Sequence, residues 1–220
     1  MVVFAPSILT LIVILRMPGG TPMPAQARPP APRLDATQYA YTPTQAVTLD
    51  VPILMYHHIG ASFKSPYNVS TSDFRAQVAY LAQNGYKTVS IDQIAAALRG
   101  ESRLPPCPVA ITFDDGYASQ YDNALPILRE HGFRASFNLV IRYVGMSRAF
   151  MGWEQVEALA AADMSIGSHT YDHAELTTLS DAQLDRQVVR SKNELEDWLG
   201  VSISTFVYPY GSYNARVMRA

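Results

Sequence analysis

The sequence predicts an α/β fold built on a parallel sheet or barrel. Strand-like and helix-like segments alternate from Val51 onward. The strand-like segments are short apolar runs without strict alternation, the pattern of strands buried on both faces. Polar clusters follow several of these runs directly, and in a parallel barrel the strand ends open on one face.

Each element has its own signal. Ile53–Tyr56 is a short apolar strand. Ser72 is placed to cap a helix that aligns Phe74, Val78 and Leu81 and ends at Gly85. Lys87–Ile91 reads as a strand, and Ser90 with Gln93 forms a capping-box pattern opening a helix to Leu98. Val109–Phe113 is a strand, followed by a helix from about Ala118 to His131. Ala135–Ile141 and Ser165–Ser168 are strands on either side of a helix over Trp153–Ala162. Ser180 with Gln183 opens a long helix that lines up Leu184, Val188 and Leu195 and closes at Gly200. Ile203–Tyr208 is the last strand, and Tyr213–Ala220 reads as the start of another helix. Six strands are fewer than a closed parallel barrel needs, so the expectation is a domain over residues 51–220 truncated at its C-terminus.

Composition narrows the function classes. The chain of 220 residues is 48% apolar, enough for one domain with a substantial core. A net charge of -2 argues against general affinity for nucleic acid or anionic lipid. Cys107 is the one cysteine, so no internal disulfide can form, and between prolines it reads as an incidental small residue. Residues 1–27 contain an apolar run, Val2–Leu15, followed by Ala25-Gln26-Ala27, the pattern of a signal peptide and its cleavage site. No Lys or Arg precedes that run, and the same segment would also serve as an N-terminal anchor, which is the one route to membrane association in the sequence. Residues 28–50 are Pro-rich and read as a tether. A secreted, periplasmic or cell-surface location follows from this reading.

Four clusters carry the chemistry. His57 and His58 follow the first strand; Asp114 and Asp115 follow the third, in the run ITFDDG. His169 and His173 follow another in SIGSHTYDH, and Pro209, Tyr210 and Gly211 follow the last in FVYPYG. The two histidines of SHTYDH are four apart, which on a helical turn would place both imidazoles on one side, as a divalent ion such as Zn²⁺ requires. That spacing alone fits a capping or solvent-exposed pair better, and a third ligand changes the balance. Adjacent buried carboxylates are costly unless paired, hydrogen-bonded or bound to a cation, so Asp114-Asp115 can complete the set; one of them could instead cap the next helix. Tyr117 and Trp153 are candidate sugar-stacking aromatics, although core packing is the commoner fate of such side chains. Asn68-Val69-Ser70 matches an N-glycosylation pattern.

The ordered set FDDG, H-T-x-x-H and YPYG resembles the polysaccharide deacetylase family, the fourth carbohydrate esterase family or NodB homology domain, over roughly Val51 to the end. The resemblance implies a distorted (β/α) barrel and a metal-dependent N-deacetylase acting on a polysaccharide. It assigns Asp114 as catalytic base and Asp115, His169 and His173 as ligands of a divalent metal, Zn foremost, leaving a position open for water. It also gives the backbone N–H of Tyr210 to the oxyanion; Pro209 joins Tyr117 and Trp153 as a candidate substrate contact. VPILMYHHI resembles a permuted branch that includes deacetylases of poly-β-1,6-N-acetylglucosamine in biofilms; there the acid histidine follows the first strand, which would be His57 rather than His58. The sequence departs from the wider family where Ser204–Val207 lacks an Arg that would orient the base, and where the later Asp-Trp and Leu-x-His motifs do not occur. Peptidoglycan, chitin, acetylated xylan or a lipid-linked sugar are alternative substrates, and a non-catalytic carbohydrate-binding remnant is the alternative to an enzyme.

Overall fold

A computed structural model describes residues 49–60 and 65–220. The expected signal segment, and all of the expected tether but Leu49 and Asp50, lie outside the described residues. Among the described residues no helix is long and apolar enough to cross a membrane.

The strands are β1 (Ile53–Tyr56), β2 (His58–Ile59), β3 (Asn68–Val69), β4 (Lys87–Thr88), β5 (Pro108–Asp115), β6 (Ser136–Leu139) and β7 (Ser165–Ser168). The helices are α1 (Thr71–Gln83), α2 (Ile91–Leu98), α3 (Leu125–Glu130), α4 (Trp153–Ala161), α5 (Asp181–Asp185) and α6 (Ser191–Leu199). Five strands form one sheet in the order β1-β5-β6-β7, with β4 pairing the start of β5; β2 and β3 form a separate pair. Every strand pairing is parallel. That accounts for the continuous apolar runs, since helices cover the sheet and leave no wet face.

β5 is the central strand. Its Phe113 is fully buried, stacked on Phe137 of β6 at 4.9 Å and on Tyr56 of β1 at 5.5 Å, with the edge of Phe74 from α1 at 5.7 Å. Burial of each such ring is worth ~1.5–3 kcal/mol. Desolvation pushes the Tyr56 phenol up to about 12, and its hydroxyl donates to Gln77 Oε1 at 2.8 Å. A second cluster gathers Leu176, Leu184, Val188, Phe206, Tyr208 and Val217 beneath the last loops.

Local signals located most elements, with instructive differences. Ser90 and Gln93 make the expected capping box, and Gly200 closes α6 with φ 66, where a side chain would be strained. Helix α1 is capped by Ser70 rather than Ser72: the Ser70 hydroxyl accepts from the Asp73 N–H at 3.0 Å. The strand expected over Lys87–Ile91 is confined to Lys87–Thr88, because Ser90 begins the next helix. β5 extends through both acidic residues instead of ending before them, because its ladder with β6 continues to Asp115↔Leu139. The helix expected from Ala118 does begin there, passes through a π-helical turn over Gln120–Ala124 and continues as α3, and the long helix after Ser180 contains another such turn over Arg186–Arg190. Ile203–Tyr208 is not a strand but makes one bridge, Ser168↔Phe206. The Ser168 N–H donates to Thr205 O and the Val207 N–H to Ser168 O, both at 2.9 Å, and the pairing goes no further because β7 itself ends at Ser168. Tyr213–Ala220 holds only a short 3₁₀ turn, Val217–Arg219.

Candidate metal centre

The site lies at the C-terminal ends of the parallel strands. β1 leads into His57, β5 ends in Asp114 and Asp115, β7 leads into His169, and the Phe206 bridge leads into Pro209 and Tyr210. The four segments singled out by sequence therefore meet at one end of the sheet.

Asp115, His169 and His173 each offer one ligand atom, and these lie within 4.8 Å of one another. Asp115 Oδ1 is 3.6 Å from His169 Nε2 and 3.4 Å from His173 Nε2, too long for good hydrogen bonds. The same oxygen is buried without a hydrogen-bond partner. A buried, unpaired carboxylate oxygen is costly, and a cation between these three atoms would satisfy it. Ligand bonds of ~2.0–2.2 Å in a tetrahedral site set donor atoms ~3.3–3.6 Å apart, close to the two distances from Asp115 to the histidines. The donor set therefore fits a divalent ion, and one carboxylate with two imidazoles suits zinc.

The imidazoles are prepared for that role. His169 is buried, and its Nδ1 lies 2.9 Å from Val207 O, so the proton sits on Nδ1 and the Nε2 lone pair faces Asp115. Burial lowers its pKa to about 4, against the opposing pull of Asp115, so the ring is neutral near pH 7. His173 Nδ1 lies 3.1 Å from the Tyr210 hydroxyl. The expected helical turn is absent from the SHTYDH loop. Its histidines converge because Thr170 and His173 adopt φ of 73° and 63°, and the His173 N–H donates to Thr170 Oγ1 at 2.9 Å. Asp115 and Tyr210 also have positive φ, 75° and 61°. Non-glycine residues in this region each cost ~1–3 kcal/mol, and such strain gathers at functional sites.

Asp114 is almost wholly buried, and its Oδ1 accepts from Asn138 Nδ2 at 2.7 Å. Burial raises its pKa; the Asn138 hydrogen bond and the nearby His57 and His173 pull it back. His57 lies half-buried, its ring 5.1 Å from that of Tyr67. His58 is held structurally, with Nδ1 2.6 Å from Asn68 Oδ1. The Asn68 amide also donates to Gly60 O, so the side chain that matched a glycosylation pattern ties down this loop.

The expected substrate-lining residues separate. Tyr117 stacks on Phe150 at 5.1 Å, and burial raises its pKa, helped by the charge of Asp115. Pro209 is buried directly before Tyr210. Trp153 is not gathered with them: it stacks on Trp198 at 4.7 Å and packs against the main core, where its large apolar ring gains more from burial.

Two buried glutamines were not singled out from the sequence. Gln120 Nε2 donates to His57 O at 2.8 Å and Asp114 O at 2.6 Å, joining the ends of β1 and β5. Gln187 Oε1 accepts from the N–H groups of Tyr171 and Asp172, both at 3.1 Å, and its Nε2 donates to Asp172 Oδ1 at 2.6 Å. Both sit on π-helical turns, which recur at functional sites. The legible signal was a polar residue on a core-facing helix position, Gln187 beside Leu184 and Val188.

A family profile described as polysaccharide deacetylase matches residues 102–220. The chain belongs to the polysaccharide deacetylase family. A Bacillus subtilis (strain 168) protein, YxkH, named as a polysaccharide deacetylase, is 31% identical over 170 residues, covering 77% of this chain and 60% of that protein. The poly-β-1,6-N-acetyl-D-glucosamine N-deacetylase of Escherichia coli K12 is 30% identical over 189 residues, covering 67% of this chain but 28% of the relative. Among solved structures, the Streptococcus pyogenes deacetylase PplD in complex with acetate superposes with a TM-score of 0.73 at 26% identity, covering 79% of each chain. IcaB from Ammonifex degensii superposes with a TM-score of 0.64 at 29% identity, covering 76% of this chain and 77% of that one. The fold of this deacetylase-family chain is accordingly a distorted (β/α) barrel, as the resemblance implied.

Proposed function

We propose that this deacetylase-family chain is a secreted or cell-surface, metal-dependent hydrolase that removes N-acetyl groups from N-acetylglucosamine units of an extracellular polysaccharide. Poly-β-1,6-N-acetylglucosamine is the foremost substrate, supported by the 30% identity to the Escherichia coli enzyme of that name. The observation that carries the reading is the convergence of Asp115, His169 and His173 around an orphaned carboxylate oxygen, with a second buried carboxylate, Asp114, beside it.

Asp115, His169 and His173 would hold the ion. When bound, a divalent cation polarises the acetyl carbonyl and makes water acidic enough for activation near neutral pH. Asp114 takes the proton of the attacking water; its burial strengthens it as a base. The Tyr210 N–H donates to the developing oxyanion, a contribution typically of ~3 kcal/mol. His57 protonates the departing nitrogen, because an amide nitrogen leaves poorly as an anion. Water and the acetamido group thus yield acetate and a free amine. Tyr117, half-buried, forms part of the wall against which the sugar lies.

The test is acetate release from β-1,6-linked N-acetylglucosamine oligomers, chitin oligomers, peptidoglycan and acetylated xylan, with and without chelator. Release from the β-1,6 oligomers that chelator blocks and added Zn²⁺ restores is the expected result. Release unaffected by chelator refutes the metal assignment, and oligosaccharide binding without release would mark a non-catalytic remnant.

A further inference from the structure

We infer that Asn138 and Gly167 together form a positioning device for the Asp114 carboxylate, a role that rests on Asp114 being the base of the proposed reaction. The three residues are neighbours on three successive strands. Asp114 of β5 is in register with Asn138 of β6, and Asn138 is in register with Gly167 of β7. Residues in register across adjacent strands share a face of the sheet, so the Asn138 side chain lies between the other two positions.

Asn138 is 1% exposed and Asp114 is 3% exposed, so water cannot substitute for the contact between them. The Asn138 amide nitrogen donates to Asp114 Oδ1 at 2.7 Å. Chemistry fixes the orientation of the amide, because the flipped rotamer would set its oxygen against a carboxylate oxygen. Asn138 Oδ1 consequently points the other way, where it is buried without a partner. An asparagine retained only for packing would not leave an acceptor unsatisfied, since an apolar side chain of the same shape avoids that cost. What the asparagine gains is a fixed donor on one oxygen of the carboxylate, which leaves the other free to receive a proton.

Gly167 makes the arrangement possible. A Cβ there would lie 2.4 Å from Asn138 Oδ1 and 3.3 Å from Thr205 O. Gly167 does not have a positive φ, so it is needed for space rather than for backbone freedom. Any side chain at 167 pushes the amide toward or away from Asp114.

The experiment uses Asn138→Leu, Asn138→Ala, Gly167→Ala and the double alanine variant of the full chain. Misplacing a reacting group by ~1 Å can cost ~100-fold in rate, so Asn138→Leu should lower kcat by ~10–100-fold while KM and Zn²⁺ affinity stay within ~3-fold. Gly167→Ala should lower kcat too, but should add little on top of Asn138→Ala, because the atom it displaces is gone. The Asn138 side-chain amide signals in a ¹H–¹⁵N spectrum should move in Asp114→Ala and in Gly167→Ala. Wild-type kcat in Asn138→Leu, or additive losses in the double variant, would overturn the inference. If the wild-type chain releases no acetate from any substrate, the functional reading fails instead. The amide signals then still decide whether Asn138 holds Asp114: indifference to Asp114→Ala refutes it.

Discussion

Gln187→Leu separates the clamp on the histidine loop from the ligands themselves. Gln187 touches none of the three donor atoms, yet its side chain makes three hydrogen bonds to Tyr171 and Asp172, midway between His169 and His173. Leucine fills nearly the same volume and removes all three. Two backbone N–H groups then lose their acceptor; a buried orphan costs ~1–3 kcal/mol, but Tyr171 and Asp172 are half-buried and recover part of this from water. The expected loss of stability is ~2 kcal/mol, or ~4–8 °C in Tm for a domain of this size. The larger consequence is for the metal. Thr170 and His173 hold strained left-handed conformations, and without the clamp the loop relaxes and the imidazoles separate. Loss of a group bonded directly to a metal-binding side chain weakens metal binding ~10–100-fold, and Gln187, which acts through the loop between the histidines, should cost about 10-fold. Thermal unfolding of the metal-free protein gives the first quantity, and Zn²⁺ titration against a competing chelator gives the second. A Gln187→Leu protein that binds Zn²⁺ with wild-type affinity would refute the claim that this loop is held in place from outside.

Asp115→Ala should abolish Zn²⁺ binding and acetate release together. Asp114→Asn should keep Zn²⁺ affinity within ~3-fold and lower kcat by ~10²–10⁴, the range of general-base contributions; full activity in this variant would remove Asp114 from its role. In the metal-free protein the His169 ring should remain neutral at pH 5.5, protonated on Nδ1, and titrate only near its depressed pKa of about 4, as ¹⁵N spectra of labelled imidazole would show. Because the folded value lies below the unfolded one of ~6.5, its stabilising contribution is complete above ~6.5 and is lost as pH falls through about 4, ~3 kcal/mol in all. The raised pKa of Asp114 has the opposite sign, with stability lost as pH rises from its unfolded value through its folded one, so urea denaturation against pH is best compared in the Asp114→Asn background. Phe113→Ala, which removes the middle ring of the core row, should cost ~3–5 kcal/mol in urea denaturation.

The residues of the site were legible because strand ends are legible. Apolar runs with polar clusters directly after them placed His57, Asp114, Asp115, His169 and His173 at one end of a parallel sheet, and local caps such as Ser90 with Gln93 marked where helices begin. These are short-range signals, set by residues within a turn of one another. The α/β order, the donor groups of the candidate site and the segments that carry them could thus be read from the chain alone. The tertiary structure decided how they meet. Left-handed backbone at Thr170 and His173 replaced the helical turn that four-residue spacing suggested, because packing around the loop outweighs local preference. The ladder between β5 and β6 carried the strand through Asp115, and only that register reveals Asn138 beside Asp114 and Gly167 beside Asn138. Gln120 and Gln187 act on residues distant in the chain, and the pairing of Trp153 with Trp198 joins two helices. Such contacts depend on which elements become neighbours, and no window along the chain contains both partners.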